Sequence, residues 1–218
     1  PHEDTPITGG TLIGKIFEEA GVPKGLINVV VTDINEIGDA FVEHPIPRII
    51  SFTGSTKVGS YIGQVAIKNF KKPLLELGGN SAFIILEDAD MDYAVGAATF
   101  SRFTHQGQIC MSANRILVQK SIYNEFLDKY IEKVSSLKVG DPRDPETIIG
   151  PVINDRQAAN LEAMIEKGIA EGAKAVIKGN IKGRMVEPTI LVDVTTDMSV
   201  AQEELFGPVV CVIPFETE

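Results

Sequence analysis

The sequence contains no tryptophan, only two cysteines and three histidines, and no apolar run long enough to cross a bilayer. Each scarcity removes a class of protein. A membrane-spanning helix needs about 20 consecutive apolar residues, and none is present. Cys110 and Cys211 form neither a disulfide framework nor a Cys-x-x-Cys metal site. His2, His44 and His105 are scattered without ligand spacing, so no metal site is expected. The formal charge is -10, with 20 Lys and Arg against 30 Asp and Glu and no basic cluster. Nucleic acid and anionic membrane surfaces both need a positive footprint and are not expected partners. No charged-then-apolar secretory segment opens the chain, and the cysteine usage fits a reducing, cytoplasmic setting.

What is present is enough for a real core. At 218 residues and 44% hydrophobic content, the chain suits one large domain or two smaller ones that bury roughly 70% of the unfolded surface. Helix-like and strand-like stretches alternate. A helix is expected over Thr8 to Ala20, ending at Gly21-Val22-Pro23, and then a strand at "LINVVV" (26 to 31). A helix from Asp33 to Glu43, a strand "RIISFT" (48 to 53), a helix from Ser55 to Asn69 and a strand "PLLEL" (73 to 77) follow. Continuous apolar strands predict burial on both faces, as in a parallel sheet covered by helices.

After Gly78-Gly79 the rhythm restarts with strand "AFIILE" and a helix from Met91 to Phe103. Strand "RILVQ", a helix from Ile122 to Ser136, a Pro-rich loop and a long helix from Asn154 to Ala170 come next. Two α/β parts joined at this glycine pair are the simplest organisation: residues 1–78 and residues 79–218. The chain opens "PHEDTPITGG" without a methionine and stops after the strand-like "VVCVIPF", the marks expected of a fragment.

Four stretches carry possible chemistry. In "SFTGSTKVGS" a strand passes through Gly54 into a helix beginning at Ser55 or Thr56, where free N–H groups and the positive helix end favour an anion such as a nucleotide phosphate. The spacing lacks the three glycines of the usual dinucleotide fingerprint, and a Ser-capped helix after a turn reads equally well. In "LLELGGNS" Glu76 sits within an apolar strand, where lost hydration suits a general base working near pH 7, or it points from a strand edge to solvent. In "QGQICMSANR" Cys110 lies at a helix-to-strand turn whose N–H groups can activate a thiol and hold an oxyanion, whereas Cys211 lies in an apolar strand and is inert. In "QEELFGPVV" Glu204 could accept from a sugar hydroxyl and Phe206 could pack on a flat ring, or the stretch is an acidic loop before a strand.

Taken in order, these segments resemble the aldehyde dehydrogenase superfamily. "LELGGNS" is similar to its glutamate signature, "FTHQGQICMSANR" to its cysteine signature, "FTGSTKVG" to its cofactor turn and "EELFGPV" to its nicotinamide-ribose motif. The resemblance covers essentially the whole chain. It implies an α/β fold, with a parallel-sheet dinucleotide-binding part (1–78) followed by an α/β catalytic domain (79–218), both incomplete here. Cys110 would attack an aldehyde to give a thiohemiacetal and then a thioester, which Glu76 would hydrolyse with water. The Cys110 N–H would supply half of the oxyanion hole. Gly54 and Ser55 would approach the pyrophosphate, Gly59 would allow close helix packing, Leu77 would join the cofactor contacts, and Glu204 and Phe206 would hold the nicotinamide end. Glu3 matches the residue used on the adenosine ribose, which implies NAD in preference to NADP.

Against that family the chain is short, without the oxyanion-hole asparagine, the lysine expected before Pro1 and the oligomerisation strands. Activity of the chain alone is therefore not expected, and the parent would be a homodimer or homotetramer. "HPIPRIISFTGSTKVG" and "HQGQICMSANR" resemble the benzaldehyde and vanillin dehydrogenase branch, implying a small aromatic aldehyde as substrate. Three alternatives stay open: a hydrolase or thioesterase pairing Cys110 with His105, although no orienting acid is evident; a silent nucleotide-binding module; and an acylating member that passes its thioester to coenzyme A, although Glu76 argues for water.

Overall fold

The computed structural model of the chain describes residues 9–217. It divides into two compact units between Leu77 and Gly78. The first contains α1 (Thr11–Glu19), α2 (Ile34–Ile37), α3 (Ala40–Glu43), β1 (Ile49–Thr53), α4 (Thr56–Lys68) and β2 (Lys72–Glu76). Strands β1 and β2 pair in parallel, with Ile49 opposite Lys72 and Thr53 opposite Glu76. Parallel neighbours need a long crossover, which the 13-residue α4 supplies. Val42, Ile50 and Ala66 form its small core, with Ile62 and Val65 packed against it.

Three expectations fail in this unit. No strand forms at 26–31, and Val29, Val30 and Val31 are exposed. An apolar run becomes a strand only beside a partner that takes its N–H and C=O groups, and among the described residues of this unit only β1 and β2 pair. The helix expected from Asp33 to Glu43 is two short turns, because Gly38 breaks it at φ 47° and ψ -133°. The strands are also not buried on both faces: burial alternates along β1 and β2, and Ile49 and Leu74 remain 56% and 47% exposed.

The second unit contains β3 (Ser81–Ile85), α5 (Met91–Phe103), β4 (Ala113–Gln119), α6 (Tyr123–Ser135), α7 (Asp155–Glu171) and β5 (Lys174–Ile177). The hairpin β6 (Ile181–Lys182) and β7 (Met185–Val186), then β8 (Thr189–Val192), α8 (Ser199–Gln202) and β9 (Val209–Phe215), complete it. Local signals set the helix starts. Asp90 caps α5 by accepting from the Tyr93 N–H at 2.9 Å, and Asn154 caps α7 by accepting from the Gln157 N–H at 2.8 Å.

The main sheet runs β3-β4-β9-β8-β5, parallel except for the edge strand β5. That strand reaches β8 through the β6–β7 hairpin, without a helical crossover, so its direction reverses. The sheet lies between two helical layers. Ile190, Val192, Val210 and Val212 join the core with Phe103, Phe126 and Tyr130 of α5 and α6. The alternate residues Leu191, Val209, Cys211 and Ile213 join Leu161 and Ile165 of α7 and Val200 of α8. Here the expected two-sided burial is found, and every position of β8 is buried.

Leu161→Ala should destabilise the chain by about 2 to 5 kcal/mol, because Leu161 has no exposed surface and truncation leaves a cavity. Glu162→Ala, next to it but exposed, should stay within about 0.5 kcal/mol. Urea unfolding of both variants tests the layer assignment, and equal losses would refute it.

Candidate active site

Three loops of the second unit converge because they lead into three neighbouring parallel strands. Gly78-Gly79-Asn80 precede β3, Cys110 precedes β4, and Glu204 to Gly207 precede β9. Ser81 of β3 lies opposite Ala113 of β4, and Arg115 of β4 lies opposite Cys211 of β9, so the strands start level. The residues therefore gather at the N-terminal edge of this sheet. Open α/β sheets more often place ligands at the C-terminal edge, and that is where Gly54 and Glu76 stand in the first unit, after β1 and at the end of β2.

The Cys110 loop has a constrained entry. After α5, His105, Gln106 and Gly107 adopt successive left-handed backbone angles, with φ of 52°, 57° and 69°. For the two non-glycine residues this costs about 1 kcal/mol or more each. Gly107 is required twice over, by its φ and because a Cβ there would overlap the Gly207 carbonyl oxygen and approach the Arg102 carbonyl to 3.0 Å. The Gln108 side chain then accepts from the Ile153 N–H at 2.9 Å. The Ser112 N–H donates to the Ile109 carbonyl at 2.9 Å, closing a tight turn with Cys110 and Met111 at its tip. Both tip residues are exposed, and their N–H groups make no hydrogen bond among the described residues.

Gly79 lies behind this turn, and a Cβ on it would come within 2.9 Å of the Cys110 carbonyl oxygen. The same glycine pair seats Glu204. The Gly79 N–H faces the Glu204 carboxylate closely enough to favour its charged form, and a Cβ at Gly78 would overlap Glu204 Oε2. Burial raises the Glu204 pKa above its ordinary 4.5, while the Gly79 N–H and the Arg102 charge pull the other way. Glu204 Oε1 is enclosed and has no partner among the described residues. Phe206 is half-buried, and its carbonyl accepts from Gln157 Nε2 at 2.7 Å.

A buried polar network underlies both loops. Arg102, 1% exposed, donates from Nη2 to the Leu205 and Gly207 carbonyls, and from Nη1 to Asn114 Oδ1 at 3.1 Å and the Ala113 carbonyl at 3.3 Å. Asn114 Nδ2 donates to Asn80 Oδ1 at 2.9 Å and the Glu203 carbonyl at 2.7 Å, and its Oδ1 accepts from the Leu205 N–H at 3.0 Å. Asn80 donates to the Ala201 carbonyl at 2.7 Å. Burial lowers the Arg102 pKa to about 10, so the guanidinium stays charged near neutral pH.

The remaining sequence candidates fall in the first unit or outside the described residues. The Gly54 N–H donates to the Glu76 carbonyl at 3.0 Å, tying the two strand ends together. Ser55 caps α4, its hydroxyl accepting from the Val58 N–H at 3.4 Å. Gly59 is buried against Leu77, whose methyl a Cβ would overlap. The Glu76 side chain is exposed, which corrects the expectation of a dehydrated carboxylate: alternation along β2 turns it outward. Glu3 lies outside the described residues. Cys211 is fully buried in β9, and burial raises its thiol pKa to about 12. Residue-by-residue reading passed over Arg102, Asn80 and Asn114. The available signal was polar side chains inside apolar or glycine-rich runs, as in "AATFSRF" and "GGNS".

The aldehyde dehydrogenase family profile matches residues 1–218. The chain is 71% identical over 218 residues to a benzaldehyde dehydrogenase of Bacillus subtilis strain 168, a match covering 100% of this chain and 45% of that protein. It is 49% identical over 220 residues to a vanillin dehydrogenase of Corynebacterium glutamicum, covering 100% of this chain and 46% of the relative. A crystal structure of an NAD-dependent benzaldehyde dehydrogenase from Corynebacterium glutamicum superposes with a TM-score of 0.94 at 49% identity, covering 100% of this chain and 48% of that one. The chain thus spans about half the length of the curated relatives it matches.

Two outcomes follow from this geometry. Gly107→Ala should destabilise the chain by about 2 to 4 kcal/mol, from left-handed strain plus backbone overlap. His105→Gly, also left-handed but exposed, should be neutral or gain up to about 1 kcal/mol. Thermal unfolding of both decides whether the loop entry is strained as described. For Glu204 the folded state holds its proton more tightly than the unfolded state. Its contribution to stability is therefore fully present below its ordinary pKa of 4.5 and is lost as pH rises through the raised value. Glu204→Gln removes this titration, so wild-type stability minus mutant stability should decline as pH rises above the ordinary value of 4.5. A difference that is flat or rising with pH would contradict the assignment.

Proposed function

The chain belongs to the aldehyde dehydrogenase family, and from that premise we propose that the whole protein oxidises a small aromatic aldehyde to its carboxylic acid with NAD, through a thioester on Cys110. The observation that carries the reading is the exposed Cys110 at the tip of a tight turn, with its N–H unengaged and the Glu204 loop beside it on Gly79. The benzaldehyde and vanillin dehydrogenases at 71% and 49% identity support the substrate class, and the NAD-dependent structural relative supports the cofactor.

Residues 1–78 would bind the dinucleotide and residues 79–218 would carry the nucleophile. The residues present fit a nucleotide. Gly54 opens onto the N-terminus of α4, whose first turn is exposed and suited to a pyrophosphate. The orphaned Glu204 Oε1 is an acceptor awaiting a donor of the kind a ribose hydroxyl provides. Ser55 would hold the α4 end, Gly59 and Leu77 would keep the helix close to the strand, and Phe206 would pack on the nicotinamide end. Glu3 would accept from the adenosine ribose, and a 2'-phosphate would meet like charge there.

In the reaction, the Cys110 sulfur forms a bond to the aldehyde carbon, and the oxygen takes the developing charge in front of the Cys110 N–H. NAD held at these residues would supply the hydride acceptor needed to take this thiohemiacetal to a thioester. Glu76 then takes a proton from water as the water oxygen attacks the acyl carbon, releasing the acid and returning the thiolate. Exposure of the Glu76 side chain is consistent with access to that water.

Cys110→Ala in the whole protein should abolish oxidation of benzaldehyde while leaving NAD affinity within a few-fold, measured by a rate assay and calorimetry. Substantial residual turnover would remove Cys110 from the mechanism. Glu76→Gln should keep a first-turnover burst of NADH while steady turnover collapses. Equal loss of burst and steady rate would instead assign Glu76 to activating the thiol.

A further inference from the structure

We propose that Arg102 is a positioning residue of this site: its guanidinium sets the spacing between the Cys110 turn and the Glu204–Phe206 loop without touching the reacting atoms. The proposal rests on the reading of Cys110, Glu204 and Phe206 given above.

The geometry carries it in three steps. First, Arg102 reaches both loops at once. Its Nη1 faces the end of the Cys110 loop, at Ser112 Oγ (3.4 Å), the Ala113 carbonyl (3.3 Å) and Asn114 Oδ1 (3.1 Å). Its Nη2 faces the carbonyls of Leu205 and Gly207, on either side of Phe206. The planar fork fixes the angle between these two directions, which a flexible ammonium cannot do. Second, the backbone of Arg102 leads directly into the Cys110 loop, and Ser112 Oγ lies 3.2 Å from the Arg102 carbonyl. One residue thus holds the beginning of that loop by its main chain and the end by its side chain. Third, a plug of the same volume would fill this space without a charge. Burying an ion whose hydrogen-bonding partners are carbonyl, amide and hydroxyl oxygens, with no carboxylate among them, is costly unless those oxygens need donors. The Leu205 and Gly207 carbonyls each accept one main-chain N–H, from Gly207 at 2.6 Å and from Val209 at 2.8 Å, and Arg102 Nη2 fills the second acceptor position of both. Gly107 against the Gly207 carbonyl is a second tie between the same loops.

The test uses the whole protein with NAD and benzaldehyde. Arg102→Lys keeps the charge but lacks the fork, and Arg102→Met keeps the approximate volume without any donor. Native Cys110 thiols are counted by alkylation with iodoacetamide and mass spectrometry, and kcat is expressed per reactive thiol. Arg102→Lys should retain the thiol count while kcat per thiol falls about 10- to 100-fold and KM for NAD rises about 3- to 10-fold. Arg102→Met should fall further than Lys by both measures. Ser112→Ala, a milder change at the same contact, should lower kcat per thiol about 2- to 5-fold and is decisive if neither Arg102 variant folds. A purely structural role would reduce the number of reactive thiols and leave kcat per thiol and KM for NAD unchanged, and that result overturns the proposal. Cys110→Ala is assayed in parallel. If it still turns over, the reading of Cys110 fails; if it is inactive while the Arg102 and Ser112 variants are normal per thiol, only the present inference fails.

Discussion

A guanidinium enclosed in the second unit, with no carboxylate in contact and four of its five N–H bonds directed at oxygens, constrains everything around it. Taking such a cation out of water costs several kcal/mol, and only well-placed acceptors offset it. The acceptors here are the Leu205 and Gly207 carbonyls of the Glu204 loop, the Ala113 carbonyl and Asn114 Oδ1 at the start of β4, and Ser112 Oγ, so the offset holds only while these segments keep their shape. The lowered pKa of about 10 still leaves Arg102 charged near neutral pH, and the segments cannot relax by letting it neutralise. A flexible loop around an uncharged residue would have many near-equal conformations. Around Arg102 the alternatives strand a buried charge, and that penalty selects one arrangement.

Asn114 extends the same logic toward β3. Its amide hydrogen-bonds Asn80, the Glu203 carbonyl and the Leu205 N–H, so the backbone on both sides of Glu204 is held by one side chain. Glu204 Oε2 sits against Gly78, in space a Cβ there would occupy, while a Cβ on Gly79 would come within 2.9 Å of the Cys110 carbonyl oxygen. Glycine here answers a need for close approach, since φ at both positions is ordinary. The sheet makes this convergence possible: level starts of β3, β4 and β9 bring three loops that are distant in sequence to one edge.

The fold was legible wherever a segment carried its own partner or cap. Helix α5 was read at the bounds it has, where Asp90 caps its start and Thr104 leaves helical angles at its end, and β9 was legible because its run is apolar on both faces. The run at 26–31 was misread because apolarity does not supply a hydrogen-bonding neighbour, and Gly38 cut a helix whose periodicity looked continuous. Cys110 could be singled out because a thiol in a polar turn contrasts with Cys211 in an apolar strand. Arg102 could not, because its meaning lies in carbonyls about a hundred residues away in sequence, and carbonyls carry no residue-type signature. Glu76 shows the opposite error: local hydrophobicity suggested burial, while alternation along β2 turned it outward.

The two units differ in how firmly they can hold chemistry. The second closes two apolar clusters on opposite faces of a five-stranded sheet, which puts the Cys110 and Glu204 loops on a scaffold whose opening requires loss of a whole core layer. Among its described residues the first has a two-stranded sheet and a core cluster of three buried apolar residues, with Leu26, Val30, Ile49 and Leu74 among its exposed side chains. A two-stranded sheet with so little buried area is marginal by itself. Among the described residues, the strand ends that carry Gly54, Ser55 and Glu76 therefore rest on little buried area, whereas the Cys110 and Glu204 loops rest on two core layers.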